Sequence, residues 1–459
     1  MLGLALFLTT ALLAPDAAQV AASRHKAHPE LMAIVDAARL APPEFAADAL
    51  LRVAEYPKLT DTQWKRELAE EAFQSATAAR NPIRQSVFVG PVGRHFNRML
   101  VRLDRLSLQV RAVKIMLRID ARRARILFEA MPRPVPRRLT CSDTLLDEPS
   151  PYYDLLAEIT DSTFTPEERR KERHLGPALA AVEGMMSPVE IASVANLITK
   201  LKLTVEQREL LATQFASALS RIEGDDRALG SSLWRIDKAI KELPGKCGGS
   251  AAAVRAAYRK FLLANFRGPR CAEDFDSKLP LAAHFAEIAA REEFTEEERK
   301  PGEIVGAAAV QPFYDDAEAR RFQQKFHELN FTPEAQRKGA AWREKLDDFV
   351  SGLESWKAAE GQSEVALFSL KGSFLASVTL FLQPGPERDQ AVRRAVGYFK
   401  NSPAQSEDLL EWFRGIRDLV SLMRLEEPAE GAKFLAALEA SGHPVLALCA
   451  KIERSLSER

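Results

Sequence analysis

The chain has 459 residues, of which 46% are hydrophobic and 28% charged, with 64 basic residues matched by 64 acidic ones. This mixture excludes intrinsic disorder, which needs low hydrophobicity and high net charge, and it supplies no overall attraction for nucleic acid. With only 22 glycines and few runs of alternating β-branched residues, a barrel or sandwich of tight turns is also disfavoured.

Residues 2–14 form an apolar stretch without charge, followed by Pro15, Asp16 and the small-residue run Val20-Ala21-Ala22. The pattern predicts a secretory signal peptide cleaved after Ala22, although no Lys or Arg precedes the apolar run. The stretch is shorter than the ~20 residues of a membrane-spanning helix, and no other segment is long and apolar enough to be one. The expected location is secreted or periplasmic, with no transmembrane helix in the mature chain.

Three helical patterns follow, over residues 29–40, 43–55 and 60–79. Phe45, Ala49, Leu50 and Val53 fall on one face of the second, which Pro42-Pro43 open and Pro57 closes. Helix starts are marked five times by a hydroxyl residue three places ahead of a Glu or Gln: Thr60 with Gln63, Thr165 with Glu168, Ser187 with Glu190, Thr204 with Gln207 and Thr295 with Glu298. In such a capping box the hydroxyl accepts from one orphan amide while the carboxylate or amide oxygen accepts from another. Leu59 and Met186 are placed to staple onto Trp64 and Ile191.

A longer pattern runs from residue 95 to 130, with Leu103, Leu106, Val110, Val113 and Leu117 at alternating spacings of three and four, the seam of one helix packed along another. The Pro-rich residues 131–136 end it, and residues 141–151 read as a loop. Leu210, Leu211, Phe215, Leu219 and Ile222 form a further apolar face, and residues 245–249 and Pro301-Gly302 are breaks. The expected fold is all-α, a multi-helix array of antiparallel helix pairs, with an irregular α-α superhelix or solenoid as one form of it. Its expected parts are the signal peptide (1–22), an N-terminal helical region with a long basic helix (23–140), a middle helical region (141–300) and a C-terminal helical region (301–459).

The phrase Phe-Thr-Pro-Glu-Glu-Arg at residue 164 returns as Phe-Thr-Glu-Glu-Glu-Arg at 294 and Phe-Thr-Pro-Glu-Ala-Gln at 331. Some of these spacings are near the period of helix-pair solenoids. An irregular array would show the same recurrence, because every helix needs a cap.

Four cysteines allow three full pairings. Cys449 lies in an apolar helical pattern and reads as a buried free thiol. Cys247 and Cys271 flank a predicted helix over residues 250–266, about 25 Å long, which keeps their sulfurs apart unless both flanks fold back along it. The predicted disulfide is Cys141–Cys271. No CxxC, no HExxH and no phosphate-binding glycine pattern occurs, so neither a metal nor a cofactor is expected.

The sharpest local bias is basic. Between Arg94 and Arg138 there are 13 Lys or Arg residues against Asp104, Asp120 and Glu129. On one continuous helix, Arg111, Lys114, Arg118, Arg122 and Arg125 fall within about 80° of one another. Such a stripe suits an acidic protein partner or an anionic surface, nucleic acid being disfavoured for an exported chain. The alternative is that the cations pair with acids of neighbouring helices.

The functional expectation is an exported binding or scaffolding protein with no catalytic motif. Its rival is an α/α-type hydrolase or lyase, in which carboxylates from different helices meet in a cleft. The pairs Asp225-Asp226 and Asp347-Asp348, with Tyr152-Tyr153-Asp154, Trp342 and Trp356 as groove-lining aromatics, are its candidates.

Overall fold

The computed structural model describes residues 28–79, 102–141, 145–222, 226–243, 248–268, 280–300, 302–306, 317–331, 339–357 and 442–456, together with shorter pieces and single positions. The fold is all-α. The expected signal peptide and Cys247 lie outside the described residues.

The first three helices are α1 (Pro29–Ala38), α2 (Pro43–Glu55) and α3 (Thr62–Thr77). Prolines stand in the first turn of α1 and α2, where a missing amide costs nothing. Tyr56 is extended ahead of Pro57, as the clash with a following proline ring requires. On α2, Phe45, Ala49, Leu50 and Val53 are all buried, so the apolar face read from the sequence is the packed one. Each large member is worth about 1.5–3 kcal/mol of apolar burial.

The long basic helix expected over residues 95–130 is instead two helices, α4 (Arg105–Leu117) and α5 (Ala121–Glu129). The break is made by Asp120, whose carboxylate accepts from the Arg123 amide at 2.9 Å. An N-cap at Asp120 restarts the helix. Residues 95–101 lie outside the described residues.

The chain continues through α6 (Ser150–Ser162), α7 (Pro166–Arg170), α8 (Leu175–Glu183), α9 (Pro188–Lys200), α10 (Val205–Leu219), α11 (Ala228–Glu242), α12 (Ala251–Arg267) and α13 (Pro280–Arg291). It ends with α14 (Ala317–Phe331), α15 (Ala340–Ser355) and α16 (Pro444–Leu456). Early helices pack on their sequence neighbours: α1 on α2, α2 on α3, α3 on α4. From α6 onward, helices two apart in sequence also face each other, with α8 on α10, α9 on α11 and α10 on α12. The last helix, α16, returns to pack on α1 and α2. One cluster of buried apolar side chains runs from Leu31 to Ile452.

Strands are short among the described residues. Arg84–Ser86 (β1) pairs antiparallel with Leu145–Asp147 (β2), and Arg270–Cys271 (β3) pairs in parallel with Ile304–Gly306 (β4).

The caps follow the sequence in detail with three corrections. Thr165 and Thr204 form reciprocal capping boxes, and Glu190 accepts from the Ser187 amide. At α3 the cap is Asp61 rather than Thr60, its carboxylate accepting from the Trp64 amide at 2.9 Å. Thr295 and Glu298 make the box bonds in both directions, yet they start a single turn rather than a helix. The staple of Leu59 on Trp64 is consistent with burial of both, whereas Met186 is 79% exposed and staples nothing.

Cys141 and Cys271 are joined, with Cα atoms 5.6 Å apart across 130 residues of sequence. The bond ties the connector before α6 to β3, beyond α12. Cys449 is free, and burial pushes its thiol well above the ordinary range. Denatured, unreduced protein should therefore show two of its four thiols to a thiol reagent, and all four after reduction. Replacing both Cys141 and Cys271 by serine should lower unfolding free energy by about 4–5 kcal/mol, the loop-closure value for a ring of this size. Four titratable thiols before reduction would refute the pairing.

Candidate functional site

The five cations of the predicted stripe do not form one surface. Arg111 on α4 reaches back to α2, 2.5 Å from Asp48 and 2.8 Å from Glu55. Lys114 lies 2.6 Å from Glu158 of α6, and Arg125 of α5 lies 3.0 Å from Glu168 of α7. These three are struts between helices. Arg118 and Arg122 are exposed and make no ion pair among the described residues. Arg118 stands in the turn that separates α4 from α5, so the common helical face assumed for the stripe is interrupted there.

Buried carboxylates occupy the junctions between helices. Glu190 of α9, fully buried, accepts from the Tyr153 hydroxyl of α6 at 2.6 Å and from the Arg133 guanidinium at 2.8 Å. It also accepts from the amides of Met186 and Ser187 at 2.9 and 3.1 Å. Burial and the adjacent carboxylate push the Tyr153 hydroxyl far above its usual range. Arg133 also donates to the Gly184 carbonyl. A Cβ at Gly184 would fall 1.5 Å from its Nη1, so any larger residue there would displace the guanidinium.

Asp237 of α11, 2% exposed, accepts from Tyr258 of α12 at 3.2 Å, from Lys241 at 2.8 Å and from Arg291 of α13. Against burial, which favours the neutral acid, hydrogen bonds from Arg291 and Lys241 hold its carboxyl below the usual range. Asp48 of α2 is held low in the same way, against burial, by Arg52 and Arg111. Arg52 continues to Glu453 of α16 at 3.4 Å. Asp226 accepts from the Leu139 and Ala228 amides at 3.0 and 2.9 Å, and burial raises its carboxyl.

The recurring phrase acquires a physical meaning. Arg125 lies over the Phe164 ring at 4.6 Å from its centroid while pairing with Glu168. Arg259 of α12 lies over Phe294 at 4.9 Å and pairs with Glu298 at 3.1 Å. In both places the glutamate also accepts from the capping threonine's amide, at 2.8 and 2.9 Å. An arginine from another helix is thus clasped between an aromatic face and a capping carboxylate. The third occurrence carries Ala335 at the glutamate position, and residues 332–338 lie outside the described residues.

The aromatics offered for a groove are mostly core: Tyr153, Trp342 and Trp356 are 1%, 4% and 7% exposed. Asp154 pairs with Lys200 and Asp348 with Lys325, at 2.6 and 2.7 Å. Asp225 lies outside the described residues.

One groove is present beside α15, with a cavity volume of about 260 Å³. Its floor is apolar, from Leu346, Val350, Leu375 and Val378. Its rim carries Arg343, Asp347, Glu387 and Arg394, of which Arg343 and Glu387 face each other at 3.9 Å. Sequence reasoning singled out Asp347 but missed the other three, because helical spacing does not report which positions on a second segment come alongside.

Among the described residues no cluster of three or more His, Cys, Asp or Glu side chains is arranged to hold a metal ion, and no helix is long and apolar enough to cross a membrane. Comparison with protein-family models, with curated proteins and with solved structures gave no match.

His174, at the N-cap of α8, is 3% exposed, and its Nδ1 is buried without a hydrogen-bond partner. Burial, then the neighbouring Arg169, lowers its pKa, against the opposing influence of Glu172, Asp161 and the Gln207 side chain. The unfolded chain therefore takes up this proton first. Stability contributed by neutral His174 is complete above about pH 6.5, the ordinary histidine value, and falls as the pH drops below it. His443, also lowered by burial, acts in the same direction. Urea midpoints should decline on acidification from about pH 7 to 5, with a shallower decline in His174→Gln. An unchanged slope in that variant would contradict the assignment.

Proposed function

We propose that the chain is an exported helical binding or scaffolding protein that holds an acidic protein or an anionic surface through Arg118 and Arg122. The observation carrying this reading is the contrast within the basic segment. Arg111, Lys114 and Arg125 are spent on acids of other helices, whereas Arg118 and Arg122 stay in water with no ion pair among the described residues. Exposed cations without an internal partner give up little when they meet an external anion. Joined Cys141 and Cys271 fit an oxidising compartment, which supports the secreted or periplasmic location predicted from residues 2–22.

The hydrolase or lyase reading asks for two carboxylates facing a substrate bond. The groove beside α15 carries two rim carboxylates, Asp347 and Glu387, of which Glu387 lies 3.9 Å from Arg343; elsewhere Asp226 and Glu190 each accept several protein hydrogen bonds. Binding is the reading this geometry favours. Arg118→Glu with Arg122→Glu should weaken sedimentation with vesicles of equimolar phosphatidylcholine and phosphatidylglycerol, or retention on immobilised polyglutamate, by about tenfold at low salt, since that is ~1.4 kcal/mol. Equal binding by the variant, or no binding by the unaltered protein to either material, would contradict the proposal.

A further inference from the structure

The groove beside α15 is separate from Arg118 and Arg122, and the inference drawn from it does not rest on their role. Leu346, Val350, Leu375 and Val378 are between 2% and 7% exposed and make a floor that water solvates poorly. Above it stand two cations and two anions, Arg343, Arg394, Asp347 and Glu387. Glu387 and Arg343 face each other at 3.9 Å. Asp347 and Arg394 remain, one of each sign, exposed and with no ion pair among the described residues.

The complement of that arrangement is a small ligand with an apolar body and both charges. A fatty carboxylate would satisfy Arg394 and leave Asp347 opposing it. An apolar amine would do the reverse. The cavity of about 260 Å³ lies just below the ~300–1,000 Å³ of sites for drug-sized molecules, which suits a molecule of one to three residues and excludes a folded partner. We infer that the groove binds short apolar peptides with free termini, the α-ammonium held by Asp347 and the carboxylate by Arg394. The side chains of such a peptide would rest on the Leu346–Val378 floor, away from water.

Calorimetric titration with Leu-Leu tests this directly on the full chain. Saturation at one site is expected, with affinity at least tenfold weaker for N-acetyl-Leu-Leu and for Leu-Leu amide. Asp347→Asn should abolish the preference for the free amine, and Arg394→Gln the preference for the free carboxylate. Both positions are exposed, so circular dichroism should be unchanged. Decanoate binding as tightly as Leu-Leu, indifference to blocking the termini, or no binding of Leu-Leu, Phe-Leu and Val-Phe would each overturn the inference.

Discussion

The architecture depends on placing buried carboxylates where three segments meet. A carboxylate removed from water costs several kcal/mol unless cations and hydrogen-bond donors replace its hydration. Glu190 and Asp237 satisfy that demand with partners from other segments, Tyr153 and Arg133, Tyr258 and Arg291, and Asp48 does so with Arg111 of α4 and with Arg52 of its own helix, which reaches on to Glu453 of α16. Sliding α2, α9 or α11 along its neighbours would strand a charge in the core. Apolar faces alone tolerate such sliding, because burial is non-directional. The polar junctions therefore set the register that the apolar cluster leaves open.

Register matters here because the helices are short. α5 and α8 have nine residues each and α3 and α15 have sixteen, lengths at which an isolated helix is marginal or unstable in water. Their stability comes from contacts, and those contacts close on themselves. α16 packs against α1 and α2, and Arg52 links Asp48 to Glu453 across 401 residues of sequence. The Cys141–Cys271 bond adds a covalent tie between the connector before α6 and the segment after α12. Among the described residues many charged side chains pair between helices. Arg118 and Arg122, and Asp347 and Arg394, are exposed and have no such pair.

Much of the fold was legible because helix physics is local. Prolines at Pro43 and Pro57, the boxes at Thr165 and Thr204, and the apolar face of α2 lie within a few residues of what they control. The disulfide was legible in part, since the helix predicted between Cys247 and Cys271 disfavours their pairing, whereas nothing local chooses between those two as the partner of Cys141. The break at Asp120 was missed although the seam's next position after Leu117 is Asp120 itself, because apolar residues resume beyond it at Ala124, Leu127 and Phe128. The signal was present, an Asp three residues ahead of an amide it can cap. The choice of Asp61 over Thr60 was hidden for a similar reason, since both are competent caps and only the path of the chain selects one. The candidate sites were the least legible. Whether Arg111 or Arg118 is free depends on acids 56 or more positions away, and no spacing rule reports that Glu55 and Asp48 stand opposite Arg111.

The most direct test of this account is a double-mutant cycle on Glu190 and Arg133, using Glu190→Gln, Arg133→Met and the pair, read by urea unfolding. If buried carboxylates hold the helices in register, each single change should cost about 3–5 kcal/mol by stranding its partner. The double variant should lose clearly less than the sum, with a coupling of up to ~3 kcal/mol. Single effects within about 0.5 kcal/mol of zero, or strict additivity, would mean that the apolar core alone fixes the arrangement.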